Sequence, residues 1–253
     1  MNPAPADGRP WRKLKHLAGR AIHDYDLIHE GDRLAVGVSG GKDSLLLIHF
    51  LTELRRRAPV NFGLGAFHLG PEYGDRGFSR WLDRLKLDFF HHEPAPEVPG
   101  LIDYRPGDPS PCFNCARLRR SRLFELSREY QVNRLALGHH LDDAIETLLM
   151  NMIYSGRLEG LLPRQELFEG RLSLIRPLFL IPEAMVVRLS AELGLPVRSS
   201  GCPADGHTRR QDIKEMVAGL TAGNFKVYGN LSSAVREAAR AAERAGTPRG
   251  DHR

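Results

Sequence analysis

One junction constrains this chain more than any other. A short apolar run at 34–38 passes through Ser39-Gly40-Gly41-Lys42-Asp43-Ser44 into a stretch at 44–57 with helical character. An apolar run of that length ending in glycines reads as a buried strand entering a turn. Adjacent glycines let the backbone approach a ligand closely and aim its N–H groups outward. The helix start behind them adds unpaired donors and the positive end of a dipole. Ser39 and Ser44 can donate hydroxyl hydrogen bonds and Lys42 brings a cation. Asp43 can only accept, so beside phosphates it makes chemical sense as a Mg²⁺ ligand. The competing reading is an ordinary strand-to-helix turn with Asp43 as a cap. A Walker A loop is excluded, because Val36 stands where its first glycine belongs and Asp43 replaces its hydroxyl residue. The Gly-x-Gly-x-x-Gly dinucleotide pattern is excluded by Ser39 at its second glycine.

The strand–helix alternation continues. Strands are expected at 62–69, 88–92, 132–138 and 172–175, with a last short one at 197–199. Helices are expected at 11–28, 78–86, 115–130, 142–154, 184–193, 212–220 and 232–245. The six prolines of 93–111 mark a loop. Strands separated by helices pair in parallel, so the expected class is α/β: an open, mainly parallel five-stranded sheet with helices on both faces. Ligands in such sheets bind at the carboxyl ends of the strands. The polar, Pro-rich residues 1–10 are expected to be disordered. Residues 11–220 form the main domain, and 221–253 add a C-terminal helix and a flexible tail.

With 42% hydrophobic and 26% charged residues the chain reads as soluble. His49, Arg176, Pro177 and Pro182 interrupt its most apolar stretches, so no segment reads as a membrane span and a cytoplasmic location is expected. A formal net charge of +5 fits a polyanion partner.

A second turn repeats the first layout. Leu137-Gly138-His139-His140-Leu141-Asp142-Asp143-Ala144-Ile145-Glu146-Thr147 ends a strand at Gly138 and opens a helix near Asp142. Asp143 and Glu146 can share a helix face and hold Mg²⁺ or orient a substrate, although Asp143-x-x-Glu146 also fits a capping box. The cysteines are Cys112, Cys115 and Cys202. Cys112-x-x-Cys115 opening a helix can present two thiolates to a metal, and Cys202 a third. Zn²⁺ completed by Asp205 or His207, an iron–sulfur cluster with one open iron, a redox pair and three unrelated thiols all remain open. Arg117, Arg119, Arg120 and Arg122 follow directly on that helix; they suit either a phosphate clamp or a solvated face paired with Glu125 and Glu129.

Ser-Gly-Gly-x-Asp-Ser resembles the PP-loop of the pyrophosphate-releasing ATPases, and Gly-His-x-x-Asp-Asp-x-x-Glu-Thr resembles the signature of their tRNA-modifying branch. Five further stretches are similar to the tRNA 2-thiocytidine synthetases (the TtcA family): Gly19-Arg20-Ala21-Ile22, Glu30-Gly31-Asp32-Arg33, Cys112-x-x-Cys115-x-Arg117-Leu118-Arg119-Arg120, Asn151-Met152-x-Tyr154 and Ile175-Arg176-Pro177-Leu178. The resemblance implies an adenine nucleotide alpha hydrolase-like fold. It implies that ATP adenylates O2 of an anticodon-loop cytidine, with pyrophosphate leaving and Mg²⁺ near Asp43. A sulfide, carried on the free iron of a [4Fe-4S] cluster held by Cys112, Cys115 and Cys202, then displaces AMP. It further implies Ser39–Ser44, Gly138 and Asp143 at the nucleotide, catalytic roles for Asp43, Arg119 and Asp143, tRNA as partner, a cysteine desulfurase or other sulfide donor, and a possible homodimer. The family's Pro-Cys-x-x-Cys-Gly is replaced here by Gly201-Cys202-Pro203-Ala204-Asp205-Gly206.

Overall fold

The computed structural model describes residues 8–70, 76–99, 111–198, 209–224 and 226–244. Its sheet has six strands: β1 (Arg33–Val38), β2 (Gly63–Leu69), β3 (Phe90–Glu93), β4 (Arg134–Ala136), β5 (Arg164–Leu167) and β6 (Leu172–Ile175). Their order is β3-β2-β1-β4-β6-β5, parallel throughout except for the antiparallel β5–β6 pair at one edge.

The parallel core matches the expectation, and two differences have local causes. The sixth strand, β5, reads Arg-Gln-Glu-Leu and carries no strand signal of its own. It exists because Phe168, Glu169 and Gly170 take φ of 51°, 61° and 85° and fold the chain back onto β6. The expected strand at 197–199 is absent over Val197 and Arg198, which are irregular. There the Arg198 amide donates to the Gly40 carbonyl at 3.0 Å, so the segment braces the glycine turn instead of joining the sheet.

Side-chain alternation along the strands divides the core in two. Leu34, Val36, Leu64, Ala66 and Ile175 enter the larger cluster with Trp11, Leu14 and Phe50. Ala35, Phe67, Leu135 and Leu174 enter a smaller one, to which α4 (Cys112–Glu129) alone among the described helices contributes, through Leu126 and Leu123. The helix after β1, α2 (Lys42–Arg55), is buried nearly all round from Ser44 to Thr52, which explains its lack of a polar face. The remaining described helices are α1 (Arg9–Asp24), α3 (Arg76–Leu85), α5 (Leu141–Ser155), α6 (Glu183–Glu192), α7 (Arg209–Gly223) and α8 (Lys226–Arg244). Val235 and Ala239 of α8 belong to the larger cluster. No described helix is long and apolar enough to cross a membrane.

The segment before β1 holds the opposite end of the sheet. Glu30 accepts from the Asn61 amide at 2.7 Å, and Gly31 takes φ +78°. Buried Asp32 accepts from Arg134 Nε at 3.1 Å and Asn133 Nδ2 at 2.7 Å. The Glu30-Gly31-Asp32 stretch therefore sets strand register, far from the carboxyl ends where ligands bind.

Candidate active site

The carboxyl ends of β1 and β4 form a cleft of about 330 Å³. Of the residues singled out in the sequence, Ser39, Asp43, Ser44, Arg119, Gly138 and Asp143 line it together.

The first turn is built from its own hydroxyls. Gly40 takes φ +86°, a conformation that side chains rarely adopt. Ser44, 4% exposed, donates to the Gly41 carbonyl at 3.0 Å and accepts from the Ser39 amide at 3.2 Å. Asp43 differs: its Oδ1 is buried and accepts no hydrogen bond, although Lys42 Nζ lies 3.2 Å away and His140 Nε2 3.6 Å away. A buried carboxylate oxygen without a hydrogen-bond donor fits a hard divalent cation. Lys42 is shared between Asp43 and Glu183 Oε1, 3.1 Å away, and Glu183 is held on its other side by Lys214 at 2.7 Å. Burial alone would lower the Lys42 pKa, but Asp43 and Glu183 outweigh it and leave it raised.

The second turn locks onto the first. A Cβ at Gly138 would lie 2.9 Å from the carbonyl carbon of Asp43 and 2.9 Å from the Ser44 amide nitrogen. Glycine is needed because two backbones meet, which the sequence pattern could not reveal. Gly138→Ala should therefore part the turns, lowering stability by about 2 kcal/mol and nucleotide affinity by about tenfold, read by thermal melting and calorimetry.

The α5 capping box is His140-x-x-Asp143, not Asp143-x-x-Glu146. The His140 amide donates to Asp143 Oδ2 at 2.9 Å, and the His140 ring accepts from the Asp143 amide at 3.4 Å. Asp143 Oδ1 accepts from Arg210 at 2.9 Å. Asp142 instead receives the Glu183 amide at 2.6 Å and the Tyr228 hydroxyl at 3.0 Å, tying α5 to α6 and α8.

Glu146 is buried, 6% exposed, with Arg210 3.8 Å away. Burial raises its pKa from 4.5 to about 7, Arg210 opposing and Asp143 adding to the rise. The folded state thus holds a proton that the unfolded chain releases near pH 4.5. Stability from this group falls as pH climbs between those values, and the penalty is complete above about 7. Glu146→Gln should stabilise the fold by about 2 kcal/mol at about pH 8 and change little at about pH 4, read by urea unfolding.

The arginines of α4 divide by role. Arg119 lines the cleft and donates to the Leu69 carbonyl at 2.9 Å. Arg122 forms a bidentate pair with Glu93 at 2.6 and 2.9 Å and also reaches Glu125 and Glu129. Its guanidinium lowers the Glu93 pKa to about 2. Arg117 and Arg120 are exposed. Cys112 and Cys115 are half-buried in the first turn of α4. The spacing of Cys112, Cys115, Arg119 and Leu123 places all four on one helix face, and Arg119 and Leu123 put that face toward the cleft. Cys202 lies outside the described residues.

Arg210 and His139 also line the cleft and were not singled out as site residues in the sequence. The only signal for Arg210 was an Arg-Arg pair opening a helix shortly after Cys202.

A PP-loop domain family matches residues 112–217. The tRNA-cytidine(32) 2-sulfurtransferase of Geobacter metallireducens is 41% identical over 90% of this chain and 91% of its own. That of Syntrophotalea carbinolica is 41% identical over 85% and 84%. The chain belongs to the tRNA-cytidine(32) 2-sulfurtransferase family. Among solved structures, the U34-tRNA thiolase NcsA from Methanococcus maripaludis with its [4Fe-4S] cluster superposes with a TM-score of 0.68 and 26% identity, covering 92% of this chain and 78% of that one. The family assignment and the PP-loop match agree with the resemblance read from the sequence.

Proposed function

We propose that this protein is an ATP-dependent tRNA sulfurtransferase that converts a cytidine of the anticodon loop, at the position 32 for which its relatives are named, to 2-thiocytidine. The observation that carries the reading is the single cleft in which Asp43, with its unbonded buried oxygen, faces the same space as Arg119 and Asp143. The Gly40 amide and the amides of the first turn of α2, from Lys42 to Ser44, receive the phosphates of ATP, on a turn that the Ser39 and Ser44 hydroxyls hold in shape. Asp43 holds Mg²⁺, which neutralises charge on the polyphosphate. Arg119 approaches the α-phosphate from α4. The cytidine O2 attacks the α-phosphorus, the bond to the β,γ-pyrophosphate breaks, and pyrophosphate leaves. Sulfide then attacks C2, the C2–O bond breaks, AMP departs, and the proton of hydrosulfide goes to solvent. Cys112, Cys115 and Cys202 would hold a [4Fe-4S] cluster, which would supply an open iron for the sulfide. Asp143 positions Arg210 at the cleft rim, while Gly138 keeps the two turns in register.

A cysteine desulfurase or another sulfide source supplies the sulfur, the reaction takes place in the cytoplasm, and the chain acts as a homodimer. Nucleoside analysis of tRNA tests the reading. Cells lacking this protein should lose 2-thiocytidine and regain it with the wild-type gene; undiminished 2-thiocytidine overturns the assignment. Binding of purified tRNA should weaken steeply with added salt, because phosphate contacts release counterions.

A further inference from the structure

Of the two histidines in the second turn, His140 serves as a helix cap, while His139 faces the cleft with a buried cation behind it. Arg176 is 5% exposed and forms no ion pair with a carboxylate among the described residues. Its Nη1 donates to the Leu162 carbonyl at 2.6 Å and its Nε to His139 Nδ1 at 3.3 Å. Burying a guanidinium without a carboxylate is costly, and a neutral side chain could serve one carbonyl and one imidazole at less cost. The arginine does something a neutral donor would not.

A guanidinium has donors and no acceptor, so the His139 nitrogen facing it must be the lone-pair nitrogen. The ring proton then sits on Nε2, the nitrogen left for a ligand in the cleft. A second proton would put two donors and two cations against each other. We propose that Arg176 locks His139 as a permanently neutral Nε2–H donor to an oxygen of the substrates in the cleft, supplying a hydrogen bond but never a proton. Arg176 is thus a positioning residue acting through His139. This inference rests on the proposed reaction for its substrates, but not for the tautomer.

The surroundings act in the same direction. Burial and Arg176 lower the His139 pKa to about 3; Asp143 of α5 raises it, while Arg210 of α7 and His140 lower it further. Arg120 of α4 in turn bears on Arg176. The chemistry gives the lock a purpose. An ordinary imidazole is partly protonated near neutral pH and could pass its proton to an attacking sulfide, which would quench the nucleophile. A neutral donor still orients a phosphate or carbonyl oxygen without that side reaction.

Nitrogen-15 NMR of histidine-labelled holoprotein tests the lock directly. His139 should show the Nε2–H tautomer from about pH 5 to about pH 9 in the wild type; in Arg176→Met, where burial remains but the guanidinium is gone, its pKa should rise and an Nδ1–H population should appear. Arg176→Lys provides the second comparison should the methionine variant fail to fold. A wild-type His139 that titrates in this range, or carries its proton on Nδ1, overturns the proposal.

The donor role is read separately. His139→Gln, which keeps an N–H at that reach, should stay within about threefold of wild type, whereas His139→Leu should raise a KM by about tenfold. A rise in KM for ATP places the acceptor on a phosphate; a rise in KM for tRNA places it on the nucleoside. A leucine variant with both constants unchanged removes the donor role. Wild-type protein that shows the tautomer but binds no ATP would refute the proposed reaction and leave the lock standing.

Discussion

Asp43→Asn should reduce magnesium-dependent pyrophosphate release from ATP by about a thousandfold while leaving the melting temperature unchanged or slightly raised. Asparagine matches aspartate in size while removing the charge and turning one acceptor oxygen into a donor, so the comparison tests the carboxylate as an anionic ligand. In the folded chain one of its oxygens is buried with no hydrogen-bond donor. A buried acceptor with no hydrogen bond costs stability, and the half-exposed ion pair with Lys42 returns only part of that cost. The balance changes once a divalent cation and a polyphosphate are present. In the proposed reaction the same oxygen becomes a ligand, and Lys42 and His140, 3.2 and 3.6 Å from it, restrict where the cation can sit. Stability and activity should therefore move in opposite directions, as they do where a site is held against its own folding preference. The measurement pairs a pyrophosphate-release assay with thermal unfolding. Wild-type turnover in the asparagine variant would remove Asp43 from the metal role, and a large loss of stability would make it a structural residue.

The parts of the fold that were legible in the sequence are those whose cause is local. Apolar runs and glycine turns fixed the parallel strands, and the spacing between them fixed the class. β5 was not legible because its cause is a turn of three positive-φ residues, of which only Gly170 advertises itself. The site divides along the same line. The left-handed Gly40 follows from a glycine doublet before a helix. The need for glycine at 138 arises from a backbone 95 positions earlier in the chain, the Asp43–Ser44 peptide that would meet its Cβ. Arg210 and Arg176 reach the site through long-range contacts that no periodicity encodes. The resemblance to a family did cover Glu30-Gly31-Asp32 and Ile175-Arg176, but without roles. The first proves to be a register device at the far end of the sheet, and the second puts a buried cation behind His139. Even the capping box was misread by one turn, because histidine is a less usual N-cap than aspartate.

Cys115→Ala should abolish sulfur transfer to tRNA and remove the iron and brown colour expected of anaerobically purified protein, yet leave ATP binding within about threefold of wild type. The separation follows from where the groups sit. In the proposed reaction the nucleotide is held by the two turns at the ends of β1 and β4, whereas Cys112 and Cys115 come from the first turn of α4. That helix reaches the cleft one turn after Cys115, at Arg119, so Cys115 and Arg119 share a helix face about 6 Å apart along its axis, with Cys112 about 10 Å from Arg119. A metal centre held there would be close enough to deliver sulfur to an activated base without contributing to ATP affinity. Alanine removes one thiolate of three and cannot be replaced by a neighbour, since the chain contains only Cys112, Cys115 and Cys202. A tRNA thiolation assay, iron analysis with absorbance of the anaerobic protein, and calorimetry with ATP read the three properties independently. A colourless wild-type protein with stoichiometric zinc would end the cluster reading, because a closed zinc site uses its ligands for structure and offers no open position to sulfide. Loss of ATP binding together with the iron would show instead that the first turn of α4 holds the nucleotide cleft together, making the thiols part of its frame.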